Sequence, residues 1–339
     1  MMTDYNNRFD SAIKSVEPNL KKILQRIETK EKSEVFEIRI RGEKPLVLIT
    51  KKGTRFLECD GTLHKEITDQ SIFCTLESVR DTFNRFCCFS VHSHLSGIVK
   101  GYITLEGGHR AGITGTAVCD SAGNISSLKD VSGINIRVSR EVKGCADEII
   151  KKLYKDELQS VIIAGPPSSG KTTVLRDAVR QLSSQDKLYK VALIDERQEI
   201  ASINSGIPQN DVGINTDILD GYPKEKALMI ALRTLSPEII ALDEVGDEIE
   251  IEKIRLAVNS GVKFILTVHA SDYSELLHRP QIGRLIETYS FNKLVMLKNN
   301  PVGEIEGIYD TKELHDEIIR CRNNLDLYDY YGLEDMGIA

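Results

Sequence analysis

The residues of this chain best suited to chemistry are Gly165-Pro166-Pro167-Ser168-Ser169-Gly170-Lys171-Thr172. Glycine, four free positions, then Gly-Lys-Ser/Thr is the spacing of a phosphate-binding loop. Its glycines let the backbone turn with N–H groups pointing inward, forming an anion nest. Lys171 can then reach the β- and γ-phosphates, and Thr172 can offer its hydroxyl to Mg²⁺. Downstream, the apolar run Ile239-Ile240-Ala241-Leu242 ends in Asp243-Glu244. Beside a phosphate loop, Asp243 is expected to help hold Mg²⁺ and Glu244 to polarise an attacking water as general base. The competing reading is an acidic pair that solvates a strand end. A second acidic tip, Asp195-Glu196-Arg197, follows Val191-Ala192-Leu193-Ile194 and is open to the same two readings. Thr267 and His269, at the end of a third apolar run, stand where a γ-phosphate can be sensed, because ligands of such sheets gather at the strand ends. Arg233 closes a helix that begins near Pro223. It is either a helix C-terminal charge or the group that offsets charge on the transferred phosphoryl, within one subunit or across an interface.

The surrounding elements are in the order such a site needs. Ser160-Val161-Ile162-Ile163-Ala164 precedes the loop, and Thr173–Leu182 follows with Val174, Leu175, Ala178, Val179 and Leu182 on one helical face. Strand, loop and helix place the phosphates at a helix N-terminus, cradled by residues Gly165 to Thr173. Apolar strand runs at 161–164, 191–194, 239–242 and 264–268 alternate with helical stretches. That pattern predicts a mainly parallel sheet flanked by helices on both faces.

Upstream, residues 1–34 are expected to form one amphipathic helix, with Ile13, Val16, Leu20, Ile23, Leu24 and Ile27 at helical spacing. Strands are expected over 35–42 and 45–50, a helix over 69–90, glycine-punctuated strands over 101–105 and 111–118, and one more strand over 134–138. The expected division is an α+β domain at 1–145, a phosphate-loop domain at 146–310, and a C-terminal helix and loose tail at 311–339.

The chain has 339 residues, 41% of them hydrophobic, and a formal net charge of −7. That balance argues against a protein that coats nucleic acid, although a local basic groove stays open. No run approaches the roughly eighteen apolar residues of a membrane span, and the polar start lacks a signal-peptide core. A cytoplasmic protein is expected. Seven cysteines without a CxxC spacing point to reduced thiols rather than a disulfide framework or zinc finger.

The ordered set of boxes resembles the secretion-ATPase superfamily, the motors of type II and type IV secretion and of type IV pili. The loop at 165–172 is followed by Asp195-Glu196-Arg197, by Leu232-Arg233 with Pro237-Glu238, by the strand ending at Glu244, and by Thr267-Val268-His269. The chain departs from the pilus motors at one position, carrying Asp243-Glu244 where they carry Gly-Glu. A closer resemblance is to the stage III sporulation protein AA family. It rests on Gly101–Gly112, Ile134–Glu141, Asp195–Ile200 and Asp217–Lys224, and runs from about residue 35 to residue 300.

The resemblance implies an α/β, RecA-like fold with a smaller N-terminal α+β domain. It implies an ATP hydrolase using Mg²⁺, with Lys171, Glu196, Arg233, Glu244 and His269 at the chemistry and Thr172 at the metal; Asp243 is expected at the metal from its place at the strand tip, not from the motor family. It also implies a hexamer on the cytosolic face of a membrane channel in an endospore-forming cell, bound to integral membrane subunits. Arg110, Arg137 and Arg140 become candidate phosphate-side or interface arginines, with plain surface charges of a β domain as the competing reading. Two other readings stay open: a nucleic-acid-dependent translocase, and a nucleotide-gated scaffold with little turnover.

Overall fold

Val161–Gly165 (β8) is buried along its whole length and lies inside the larger sheet of the computed structural model, which describes residues 8–184, 187–258 and 260–320. The chain separates into two units. Met1–Glu141 with Ser202–Asn210 form the first, and Val142–Ala201 with Asp211–Ala339 form the second.

The first unit is built on a seven-stranded sheet. Its strands are Val35–Arg41 (β1), Val47–Thr50 (β2), Gly53–Leu57 (β3), Leu63–His64 (β4), Tyr102–Thr104 (β5), Arg110–Cys119 (β6) and Ile125–Arg137 (β7). They run in the order β4-β3-β2-β1-β7-β6-β5, with every pairing antiparallel. Phe9, Ile13, Leu20 and Leu24 join Ile38, Ile40, Leu48 and Ile136 in its core.

Those N-terminal apolar residues are buried as their spacing predicts, but the single helix expected over 1–34 is broken. Helix resumes at Pro18–Gln25 (α1) and again at Thr29–Lys32. Pro18 has no N–H to continue a helix and pushes the preceding residue out of helical geometry, so Glu17 instead caps α1 through Asn19 and Leu20. The helix expected over 69–90 is shorter, Leu76–Phe86 (α2), because Thr75 caps it and Phe73–Cys74 pairs as strand with Lys44–Pro45. The strand expected at 134–138 is the last part of the much longer β7.

The second unit is also built on a seven-stranded sheet. To β8 it adds Val191–Asp195 (β9), Thr216–Asp220 (β10), Ile239–Leu242 (β11), Lys263–His269 (β12), Lys293–Leu297 (β13) and Ile305–Asp310 (β14). Their order is β10-β9-β11-β12-β8-β13-β14, parallel throughout except for the β13–β14 edge. Asp147–Leu153 (α3) precedes β8, and Lys171–Leu182 (α4) follows it. Ile162, Ala164, Ile240, Leu242 and Leu266 pack with Lys224–Ile230 (α5), Glu248–Val258 (α6) and Pro280–Ile286 (α8), Tyr273–His278 (α7) being the short helix before α8. α4 buries its apolar stripe outside that cluster, against β8, β9 and β12. The mainly parallel sheet with helices on both faces is the architecture the alternation predicts.

Three of the strands, β10, β13 and β14, go beyond the four expected. The boundary between units also differs from the expected break after residue 145. Residues 142–145 pack within the second unit, where Lys143 pairs with Asp211 at 2.7 Å and the Cys145 thiol donates to the Thr173 carbonyl. Ser202–Asn210 belongs to the first unit, where the Gln209 side chain accepts from the Gly107 N–H at 2.7 Å. Residues 311–320 are helical; the tail expected beyond them lies outside the described residues.

Candidate active site

Parallel strands deliver their C-terminal ends to one edge, so β8, β9, β11 and β12 bring their tips together. Register makes this specific: Gly165 of β8 lies opposite His269 of β12, and Leu242 of β11 opposite Leu266 of β12. The loop 165–172 therefore opens beside Thr267 and His269, with Asp243 and Glu244 one strand further on.

The loop has the backbone of a phosphate cradle. Ser168 (φ +62°) and Gly170 (φ +90°) are left-handed, and α4 begins at Lys171. Gly170 is required twice over, because a Cβ there would stand 3.0 Å from Val302 Cγ1 as well as sitting at a φ that side chains rarely adopt. Gly165 is required by proximity alone, since a Cβ would meet Ser169 Oγ at 2.7 Å. Ser169 is fully buried and its hydroxyl has no partner among the described residues, an orphaned polar atom inside the loop. Pro167 and Ser168 are exposed at the turn, and Thr173 is half-buried in the first turn of α4.

Lys171 is 7% exposed, and its ammonium donates to the carbonyls of Gly165 (2.8 Å) and Pro166 (2.7 Å). Burial pulls its pKa down, while the charges of Asp243 and Glu244 push it back up. A buried cation whose hydrogen bonds among the described residues go to loop carbonyls is poised to exchange them for phosphate oxygens. Next to it, Thr172 donates its hydroxyl proton to Asp243 Oδ2 at 2.6 Å, and Thr267 donates to Asp243 Oδ1. Spending that proton on Asp243 leaves the lone pairs of Thr172 Oγ1 for a cation, so these oxygens suit the hard, oxygen-seeking Mg²⁺.

Glu244 is held by its backbone. It is left-handed (φ +50°), its N–H donates to Thr267 Oγ1 at 2.7 Å, and its carbonyl accepts from Lys224 Nζ at 2.7 Å. A non-glycine residue in that conformation persists only where its surroundings fix it. Its carboxylate pairs with Arg197. Glu196 is half-buried, with its nearest cation, Lys224, 3.8 Å away. Asp195 holds the turn after β9 together. It is buried and accepts from the N–H groups of Glu199, Ile200 and Ala201, and burial raises its pKa.

His269 Nδ1 lies 3.2 Å from the Arg279 guanidinium. Because arginine can only donate, Nδ1 accepts, and neutral His269 carries its proton on Nε2 as a donor. Arg233 stands in the π-helical turn Ala231–Leu235, exposed and with no hydrogen bond or ion pair among the described residues. The three upstream arginines are engaged inside the first unit. Arg110 lies over the Tyr102 ring, Arg137 pairs with Glu37, and Arg140 donates to the carbonyls of Ser33 and Val35.

The profile of the family described as Sporulation stage III, protein AA matches residues 7–315. The chain belongs to that family. Stage III sporulation protein AA of Bacillus subtilis (strain 168) is 32% identical over 296 residues, covering 86% of this chain and 92% of the relative. Among solved structures, the Legionella pneumophila ATPase DotB matches with TM-score 0.51 at 18% identity, over 82% of this chain and 74% of its own. The pilus retraction motor PilT, with bound ADP, matches with TM-score 0.55 at 14% identity, over 90% of each chain. At those identities the structural likeness shows that this member of the stage III AA family shares its fold with DotB and PilT.

In this stage III AA chain, the structure brings Lys171, Thr172, Asp243 and Glu244 into one site, with His269 beside Gly165. It adds Thr267 as the anchor of both Asp243 and the Glu244 backbone. Lys224 closes the Asp217–Lys224 stretch that carries the family resemblance, and only the fold shows that it reaches Glu244. Arg279, ten residues after His269, carries no signal in the sequence; it sits at the junction of α7 and α8.

Proposed function

We propose that this sporulation-family protein is an Mg²⁺-dependent ATPase. The observation that carries the reading is the hydrogen-bonded chain Thr172–Asp243–Thr267 beside the loop-held ammonium of Lys171. Nothing about a strand end requires a hydroxyl from a neighbouring helix on one carboxylate oxygen and a buried threonine on the other. The loop amides from Gly165 to Thr173 and Lys171 would hold the phosphates of ATP, and Thr172 and Asp243 would hold the metal. Mg²⁺ bound there would supply positive charge against the phosphate oxygens. Glu244 takes a proton from the attacking water, and its fixed backbone keeps the carboxylate near the strand tips. His269 donates from Nε2. Glu196, at the neighbouring tip, adds a second carboxylate, and exposed Arg233 supplies the compensating positive charge from an adjacent copy.

That last role needs an oligomer, and a hexameric ring is the form the family resemblance favours. The same resemblance supports work on the cytosolic face of a membrane, delivered to integral membrane subunits of a secretion-like channel. Among the described residues, no helix is long and apolar enough to cross a membrane. One observation favours a second reading, a nucleotide-gated scaffold: the carboxylate of Glu244 is paired with Arg197 rather than free. Binding of a fluorescent ATP analogue and turnover, measured together, separate the two. An ATPase loses nucleotide binding in Lys171→Ala and turnover alone in Glu244→Gln. A wild-type chain that binds Mg–ATP without hydrolysing it supports the scaffold.

A further inference from the structure

Lys224 opens α5, far from the phosphate loop in sequence, and is only 8% exposed. Burying an ammonium is costly unless its donors are met. Here they reach three separate elements: the Glu244 carbonyl after β11 (2.7 Å), Glu250 Oε1 on α6 (3.3 Å) and Glu196 Oε2 after β9 (3.8 Å). Glu250 extends the arrangement. Its other oxygen accepts from the N–H groups of Gly246 (3.1 Å) and Asp247 (3.4 Å), in the loop that follows Glu244. Lys224 and Glu250 thus hold residues 244–247 from both sides, while Thr267 fixes the Glu244 N–H.

We propose that Lys224 is a positioning residue for the reaction, one that holds Glu244 in its left-handed conformation and ties it to Glu196. This rests on the ATPase reading for its consequence but not for its geometry. Left-handed backbone at a glutamate is strained and must be offset by local contacts. Lys224 supplies the only hydrogen bond to the Glu244 carbonyl among the described residues. Its charge also lets two carboxylates approach the same point. Without it, Glu196 and Glu250 repel each other, and the Glu244 carbonyl loses its donor. Lys224 touches no position expected for nucleotide, so its loss should act on the chemical step and leave binding intact.

The test uses the full chain and two readouts. Amide hydrogen exchange at residues 244–247, without nucleotide, reads the positioning directly. Turnover of Mg–ATP, with the Kd for Mg–ADP, reads its consequence. Lys224→Met is expected to speed exchange there at least about tenfold. It is also expected to lower kcat by at least about tenfold with the Mg–ADP Kd within about twofold. Lys224→Arg, which keeps charge and donors, should restore most of both. Should the methionine variant fail to fold, Lys224→Gln takes its place with the same expectations. Unchanged exchange at 244–247 overturns the positioning role whatever happens to turnover, as does a kcat that stays level. A wild-type chain without turnover, but with faster exchange in the variant, overturns the ATPase reading and leaves the positioning role standing.

Discussion

Thr267→Val is the most informative single change in the site. Thr267 is fully buried, and its hydroxyl serves two partners: it accepts from the Glu244 N–H at 2.7 Å and donates to Asp243 Oδ1. Valine matches its shape but removes both bonds. The backbone bond is worth about 1 kcal/mol, and a hydroxyl donating to a carboxylate about 1.5–3 kcal/mol. Asp243 is only half-buried, so water recovers part of the second term. The expected loss is about 2–3 kcal/mol, a large share of a typical margin of about 5–15 kcal/mol. Thr267→Ser keeps the hydroxyl and gives up one methyl, so it should lose only about 1 kcal/mol. Urea unfolding of the full chain, with the slope unchanged, measures both. Turnover adds a second expectation: with Asp243 released, the Mg²⁺ concentration for half-maximal rate rises in the valine variant and not in the serine variant. A loss below about 0.5 kcal/mol in Thr267→Val, or equal losses in the two variants, would refute the bridging role.

Arg197→Ala removes an ion pair whose side chains are 63% and 43% exposed, so unfolding should shift by less than about 0.5 kcal/mol. If Arg197 only parks Glu244, kcat holds or rises; a fall beyond about tenfold would show that the guanidinium takes part in the reaction. In the first unit, His109 is fully buried, accepts the Ser139 N–H on Nδ1, and is held by burial at a pKa of about 4, down from 6.5. Between those values the unfolded chain binds a proton that the folded chain refuses. Stability should therefore be complete above about pH 6.5 and fall by about 3 kcal/mol as the pH drops to 4. His109→Asn, which keeps an acceptor for Ser139, should flatten that window in unfolding measured at stepped pH; an unchanged slope contradicts the assignment.

What can be read in the sequence follows the strength of the local signal. The phosphate loop combines a fixed spacing with an apolar strand before it and an amphipathic helix after it, and both adopt those forms. β8, β9, β11 and β12 are buried on both faces and read as plain apolar runs. β10 is hidden because its edge position tolerates Asp217 and Asp220, which break the run. The Leu294–Leu297 run of β13 is as apolar as its neighbours, and the Asn-Pro pair after it marks its end, so the signal for that strand is present in the sequence. Pro18 is a clear stop signal set within an apolar pattern that continues through it, and periodicity alone favours one helix. The functional pairs are the least visible. Thr267 with Asp243, Lys224 with Glu244 and Arg279 with His269 are joined by strand order or by a helix start. Those are tertiary facts, and no spacing along the chain encodes them.

The central claim is that this site hydrolyses ATP with Glu244 as the base. Phosphate release from saturating ATP by the full chain, with Mg²⁺ and with EDTA, in wild type and Glu244→Gln, tests it directly. The account predicts Mg²⁺-dependent release in wild type and a loss of at least about a hundredfold in Glu244→Gln, with nucleotide still bound. Equal release from both proteins, or none from wild type in the presence of Mg²⁺, would contradict it.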